Sequence, residues 1–153
     1  MRERRRICVR GLIYKNDKLF GQKLHNSKGD WWCTPGGGVN PVESLHNALT
    51  REMIEETGIK PVIGRLVFVQ QFATKGIASH GEDELLEFFF LIENADDYEN
   101  VKLDNTSHGN LEVASFGFVD PTEKNLLPAI LQTTEITDAL VNEKPVFFFT
   151  SLD

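Results

Sequence analysis

A proline, three glycines and then a helix crowded with glutamates constrain this chain more than any other stretch. The run is Pro35-Gly36-Gly37-Gly38, followed by residues 39–59. Glycines let the backbone turn tightly and come close to a ligand. Helix-start signals follow at once. Asn40, Pro41 and Glu43 fit an N-cap, a first helical residue and its capping-box partner, and Ser44 is a second candidate cap. Gly58 supplies the C-terminal stop.

Projected at about 100° per residue, this helix carries Leu45, Ala48 and Leu49 on one apolar stripe. Glu52 and Glu56 fall within the stripe, and Glu55 lies about 60° to its side. Arg51 precedes Glu55 by four residues, so the two can pair along the helix. His46, Asn47 and Thr50 take the polar face, where Ile54 is an odd apolar member. The glutamates are badly placed for a plain surface helix. Glu52 and Glu56 are like charges one turn apart, which costs on the order of a few tenths of a kcal/mol. Glu55 and Glu56 sit in the last turn, where the helix dipole disfavours anions. Their stripe faces the body of the protein, where a carboxylate is costly to desolvate. One bound divalent cation offsets all three penalties. Oxygen ligands in this number suit Mg2+, Mn2+ or Ca2+ rather than a thiolate-preferring metal.

The spacing resembles the box of the Nudix hydrolases. Gly37, Glu43, Arg51, Glu52, Met53, Glu55, Glu56, Gly58 and Ile59 fill every fixed position, and Trp32 with Pro35-Gly36-Gly37 matches the usual lead-in. One departure is Val42, where many members have glycine before the first glutamate. The resemblance implies an α/β fold, an α/β/α sandwich with a mixed β-sheet and the box as loop–helix–loop on one sheet edge. It implies hydrolysis of a phosphoanhydride bond in a nucleoside diphosphate linked to another group. It makes Glu52 and Glu56 the leading ligands for Mg2+ or Mn2+, with Glu55 joining directly or through water and the Gly36 carbonyl as a further ligand. Arg51 would hold Glu55 or Glu52 in orientation, and Glu43 would brace the loop. Lys23 matches a position where relatives carry a phosphate-contacting basic residue, and Arg10 could serve likewise. The general base is open between Glu55 in the box and Glu84, Glu87 or Glu112 outside it. Two other readings stand beside this one: a sensor of the same fold that binds a nucleotide without cleaving it, and a housecleaning hydrolase of non-standard nucleoside triphosphates.

The rest of the chain reads as alternating strands and helices. Residues 7–14 and 18–24 form a hairpin about Asn16-Asp17, and 31–34 is a short strand leading into the glycine loop. Residues 62–72 are apolar and β-branched with a break at Gly64-Arg65; 85–92 is unbroken apolar and therefore central, covered on both faces. Polar loops fill 25–30, 73–83 and 93–110. Residues 112–119 are a strand, 121–127 a helix interrupted by Pro128, and 129–142 a second helix. Residues 146–151 form a terminal strand or an apolar tail. Helices between and after many strands argue a mixed sheet covered on both faces.

Length, 153 residues, suggests one domain spanning 1–153. Net charge is −7 with a pI near 5.1, which argues against a broad grip on nucleic acid but not against a small nucleotide bridged by a cation. Arg2, Arg4, Arg5 and Arg6 read as a solvated or partly disordered start, or else as an RNA 5′-end contact, which the overall acidity counts against. No signal peptide or membrane span is evident, so the cytoplasm is the expectation, with Cys8 and Cys33 as buried free thiols. Trp32, Phe72 and Phe90 could stack on a base, although each also fits a core. His25, His80 and His108 fall in loops, and His46 is solvated. The apolar run 146–149 could support a homodimer.

Overall fold

The computed structural model describes residues 4–24, 31–74, 83–101, 113–150 and 152. Among the described residues, ten strands form two five-stranded sheets. The first has the order β10 (Phe147–Thr150), β6 (Ile63–Ala73), β7 (Glu84–Ile92), β1 (Arg5–Leu12), β5 (Gly36–Gly38). The second runs β2 (Tyr14–Lys15), β3 (Lys18–Leu24), β4 (Trp31–Cys33), β9 (Asn125–Leu127), with β8 (Val113–Val119) paired to β3. Both sheets are mixed: β1 runs parallel to β7 and antiparallel to β5, while β4 runs parallel to β9 and antiparallel to β3.

Strand β7 is central because its side chains are apolar on both faces. Phe89 points into a cluster with Leu12, Phe68, Leu126 and Leu131, covered by helix α2 (Thr134–Val141). Its neighbour Phe90 points the other way, into a cluster with Val9, Ile13, Met53 and Tyr98 beneath helix α1 (Leu45–Thr57). Helices therefore cover both faces of the first sheet, as the α/β/α expectation required. Phe68 stacks on Phe89 at 4.1 Å and on Phe147 at 5.4 Å, which docks β10 as the edge strand.

Several local expectations fail for physical reasons. The hairpin about Asn16 and Asp17 exists, with both residues at positive φ, but its first arm is only β2. Strand β1 belongs to the other sheet. Cys8, Val9 and Leu12 are buried on both of its faces, so it serves as an interior strand between β7 and β5. Residues 121–127 are not a helix. Asp120 Oδ1 accepts from the Thr122 amide and hydroxyl, a turn that competes with helix formation, and Leu126 is buried as part of β9. Residues 129–142 break at Thr133 into a short 3-10 helix, Ala129–Gln132, and α2. The acidic stretch after β7 contains a second 3-10 helix, Ala95–Tyr98, anchored by the buried Tyr98. The break at Gly64-Arg65 is real: the β6–β7 register shifts on either side of Leu66.

Candidate active site

The expected glycine loop is an edge strand. Gly36, Gly37 and Gly38 pair with Arg10, Val9 and Cys8 of β1, flanked by hydrogen bonds from the Gly11 amide to the Pro35 carbonyl and from the Val39 amide to the Ile7 carbonyl, 2.9 Å each. Backbone excludes a side chain at Gly36, and a side chain at Gly37 would displace Glu52. Gly36 has φ 142° and a Cβ there would lie 2.1 Å from the Val9 carbonyl oxygen. A Cβ on Gly37 would lie 2.6 Å from the Glu52 carboxylate. The missing side chains allow the acids of α1 to rest directly on backbone.

Helix α1 starts later than its first cap signal. Ser44 is the N-cap, its Oγ accepting from the Asn47 amide at 3.1 Å, and Gly58 closes the helix at φ 77°. Asn40 does not cap it. Instead Glu43 Oε1 accepts from the Asn40 amide at 3.1 Å, within a separate turn. That turn puts Val42 at φ 65° and fully in solvent. The position where relatives carry glycine thus keeps a glycine-like backbone here without the glycine.

The inward azimuth holds: Ala48, Leu49, Met53 and Glu56 are buried, and Ile54 is exposed. Arg51 is the hub of the site. Its Nε and Nη2 donate to the two Glu43 oxygens at 3.0 and 2.8 Å, its Nη1 to Glu52 at 2.7 Å, and its Nη2 to the Gly38 carbonyl at 3.0 Å. Glu55 lies 3.8 Å from the same guanidinium. The Arg51 hydrogen bond, with that from the Asn40 amide, holds the Glu43 carboxyl down at about 2. Glu43 therefore braces the junction through Arg51, as expected of it.

Glu56 is the buried acid of α1. Its Oε2 accepts from the Gly36 amide at 3.0 Å. Burial pushes its carboxyl up to about 8, opposed by Arg10 and the Gly36 amide and reinforced by Glu52. Among the described residues no three acidic, imidazole or thiol side chains close on one point in ligating geometry. The donor set nonetheless fits a hard divalent cation: Glu52 and Glu56 are all-oxygen donors set against Gly37 and Gly36, and the buried carboxylate is short of positive charge.

Arg10 reaches the same place from β1. Its Nε donates to Glu87 at 3.1 Å and its Nη1 to the carbonyls of Thr34 and Gly36 at 3.1 and 3.4 Å. Burial is the largest influence and opposes its charge, but Glu87, Cys33, Cys8 and Glu56 together outweigh it, so the guanidinium is held above its ordinary value. Lys23 sits half-buried on β3, cross-strand from Trp32 and Ser115. Of the base candidates, Glu87 is buried against Arg10, and Glu84 is ion-paired to Arg5 and accepts from Gln71 at 2.5 Å. Glu112, His25, His80, His108 and Arg2 lie outside the described residues. Phe90 is core, edge-on to His46 at 5.1 Å; Trp32 packs on the other core cluster; Phe72 is half-buried. Cys8 and Cys33 are not joined in a disulfide; Cys8 is buried and Cys33 half-buried.

Two residues of the site escaped sequence reasoning. Gln22 and Thr34 are buried, at 2% and 1% exposure, and Gln22 Oε1 and Thr34 Oγ1 have no partner. The Gln22 side chain hydrogen-bonds Glu56. The available signal was Gln22 two residues after Phe20, a polar group on the core face of a strand.

Comparison with known proteins shows what the chain is similar to. The family model described as NUDIX domain matches residues 4–139. An uncharacterized Nudix hydrolase, YvcI of Bacillus subtilis, is 32% identical over 105 residues, covering 69% of this chain and 61% of that protein. Diphosphoinositol polyphosphate phosphohydrolase 2 of Rattus norvegicus is 50% identical over 38 residues, 25% of this chain and 21% of that protein. This chain thus spans about three fifths of the first relative's length and a fifth of the second's. The crystal structure of a MutT protein from Methanosarcina mazei superposes with a TM-score of 0.64 at 24% identity, covering 94% of this chain and 99% of that one.

Proposed function

The chain belongs to the NUDIX family, and on that premise we propose that it is a divalent-metal-dependent hydrolase of a phosphoanhydride bond in a small nucleotide, a nucleoside diphosphate linked to a second group. The observation that carries this reading is the seating of Glu56 and Glu52 on the glycine strand, one bonded to the Gly36 amide and the other against Gly37.

Glu52, Glu55, Glu56 and the Gly36 carbonyl would hold Mg2+ or Mn2+. The cation would neutralise phosphoryl charge and make water acidic enough to be a nucleophile. The chain's own residues prepare that site. Arg51 is fixed by both oxygens of Glu43, so it presents Glu52 and Glu55 in a set orientation. The Gly36 amide holds Glu56. Arg10, rigidly seated on Thr34 and Gly36, and Lys23 would take substrate phosphates. Among the described candidates Glu55 is the favoured base for the attacking water, because its 3.8 Å pairing with Arg51 is looser than those of Glu84 with Arg5 and Glu87 with Arg10. Exposed Phe148 and Phe149 on the edge strand support a homodimer, which sedimentation would test.

The deciding experiment measures phosphate release from nucleoside triphosphates, ADP-ribose, nucleotide sugars and dinucleoside polyphosphates with Mg2+ or Mn2+, with and without a coupled phosphatase. A metal-dependent signal for one class establishes the activity and names the second group. Silence across the panel, equal for wild type and Glu56→Gln, would refute hydrolysis and favour a binding module.

A further inference from the structure

Gln22 sits beside Glu56 with an unbalanced set of hydrogen bonds. It is 2% exposed on β3, and its side chain bonds both the Glu56 carboxyl and the Cys33 thiol. Both bonds favour the ionised form of the partner, so in both the carboxamide N–H is the donor. The two hydrogens of Nε2 are thereby used. Among the described residues Oε1 is left buried without a donor. Turning the amide over would not mend this. It would offer Oε1 to the Cys33 thiol and set it against the Glu56 carboxylate, oxygen to oxygen. A stranded buried carbonyl costs stability. An apolar side chain would not: Phe20, two residues earlier on the same face of β3, packs in the cluster beneath α1.

The place of the amide gives the reason for it. Gln22 pairs with Cys33 in the second sheet, and Gly36, three residues on, belongs to the first. Glu56 is therefore gripped from both sheets, by the Gly36 amide at 3.0 Å and by Gln22. Arg10 acts on it only through space, its own bonds going to Glu87, Thr34 and Gly36. We infer that Gln22 is a positioning residue of the metal site. Its carboxamide fixes Glu56 from the second sheet while the Gly36 amide fixes it from the first, so the acid meets a divalent cation in one orientation. Partners of this kind, one step behind a metal ligand, hold it ready and raise affinity without touching the ion. This rests on the proposed hydrolase reading and adds a residue to the same site.

The test is titration of the full chain with Mn2+, without nucleotide, following the free ion by electron paramagnetic resonance. Wild type should bind the ion, and Gln22→Met, close to isosteric but without a donor, should bind at least about tenfold more weakly. Its melting midpoint in EDTA should stay within about 4 °C of wild type, since the change also removes the stranded oxygen. Gln132→Met removes another half-buried amide, one bonded to the Leu126 carbonyl, and should match wild type in Mn2+ binding. Equal Mn2+ binding by wild type and Gln22→Met overturns the inference; a merely structural role for Gln22 predicts that result. No binding by wild type overturns it too, whatever the substrate panel shows. If Gln22→Met does not fold, Gln22→Asn carries the test, since its amide is one methylene short of Glu56 and Mn2+ binding should fall as far. On whichever substrate the panel identifies, Gln22→Met should raise the Mn2+ concentration for half-maximal rate about tenfold and leave KM within about threefold. A raised KM at an unchanged metal requirement would overturn the positioning role. Wild type that binds Mn2+ yet hydrolyses nothing refutes the hydrolase reading alone, and the Mn2+ titration still decides Gln22.

Discussion

Glu56 carries the most consequence of any single side chain. It is an acid buried on a backbone amide, and its carboxyl is pushed up to about 8. An unfolded glutamate releases its proton near pH 4.3. Between those values the folded, metal-free protein binds more protons than the unfolded chain. The stability from this group is therefore present in full below about pH 4.3 and is lost as pH rises through 8. Thermal melts in EDTA should show wild type losing stability from pH 5 to 8.5 by up to about 1.4 kcal/mol per pH unit. Glu56→Gln should be flatter over the same range and more stable than wild type at pH 8; identical slopes would remove Glu56 as the buried acid. The same variant should lower metal-dependent turnover by about a hundredfold or more. Gly37→Ala probes the other acid. Its Cβ would push the Glu52 carboxylate aside, and a displacement of that size should cost about a hundredfold in kcat. Wild-type rates in Gly37→Ala would show that the position of Glu52 is immaterial.

Helix α1 shows how far local signals reach at the scale of one element. Its sequence announced two N-caps, and the structure uses Ser44. Asn40 lost because Glu43 is tied to Arg51 and to the Asn40 amide, which makes a separate turn ahead of the helix. Removing the working cap, Ser44→Ala, should cost about 1 kcal/mol in urea unfolding. Loss of the same stability in Asn40→Ala, with none in Ser44→Ala, would contradict the cap assignment. The turn itself stores strain. Val42 is β-branched at φ 65° and makes no compensating burial. Val42→Gly should therefore stabilise the protein by about 1 kcal/mol, the relief of a left-handed backbone less the added freedom of the unfolded chain. A destabilised Val42→Gly would mean that the valine side chain is needed there.

On the scale of the whole molecule, one aromatic column joins three strands of the first sheet. Phe89 on β7 stacks on Phe68 of β6, which stacks on Phe147 of β10. Phe89→Ala should cost about 3 to 5 kcal/mol, from lost burial and the cavity left behind, measured by chemical denaturation. A cost below 1 kcal/mol would mean that the column is not the core of this face. The same sheet delivers the site. Strand β1 is held between β7 and β5, so it carries Arg10 from the protein interior to the glycines that α1 presses from the other side.

The sequence alone was enough for what is written locally. Residues 35–59 specified the glycine stretch, the helix, its stop at Gly58 and the acids Glu52 and Glu56, because period, caps and spacing act over a few residues. It also marked β7 as central, because an apolar run buried on both faces leaves no alternation. Tertiary structure alone decided which sheet β1 joins, since a strand's hydrogen bonds do not choose between equally apolar neighbours. It turned 121–127 into a turn and a strand, because burial of Leu126 beside Trp32 outweighed helix propensity. It made the glycine loop a strand, and it brought Gln22 and Arg10 to Glu56 from two other parts of the chain. Distances between residues far apart in sequence are set by packing, and no local pattern encodes them.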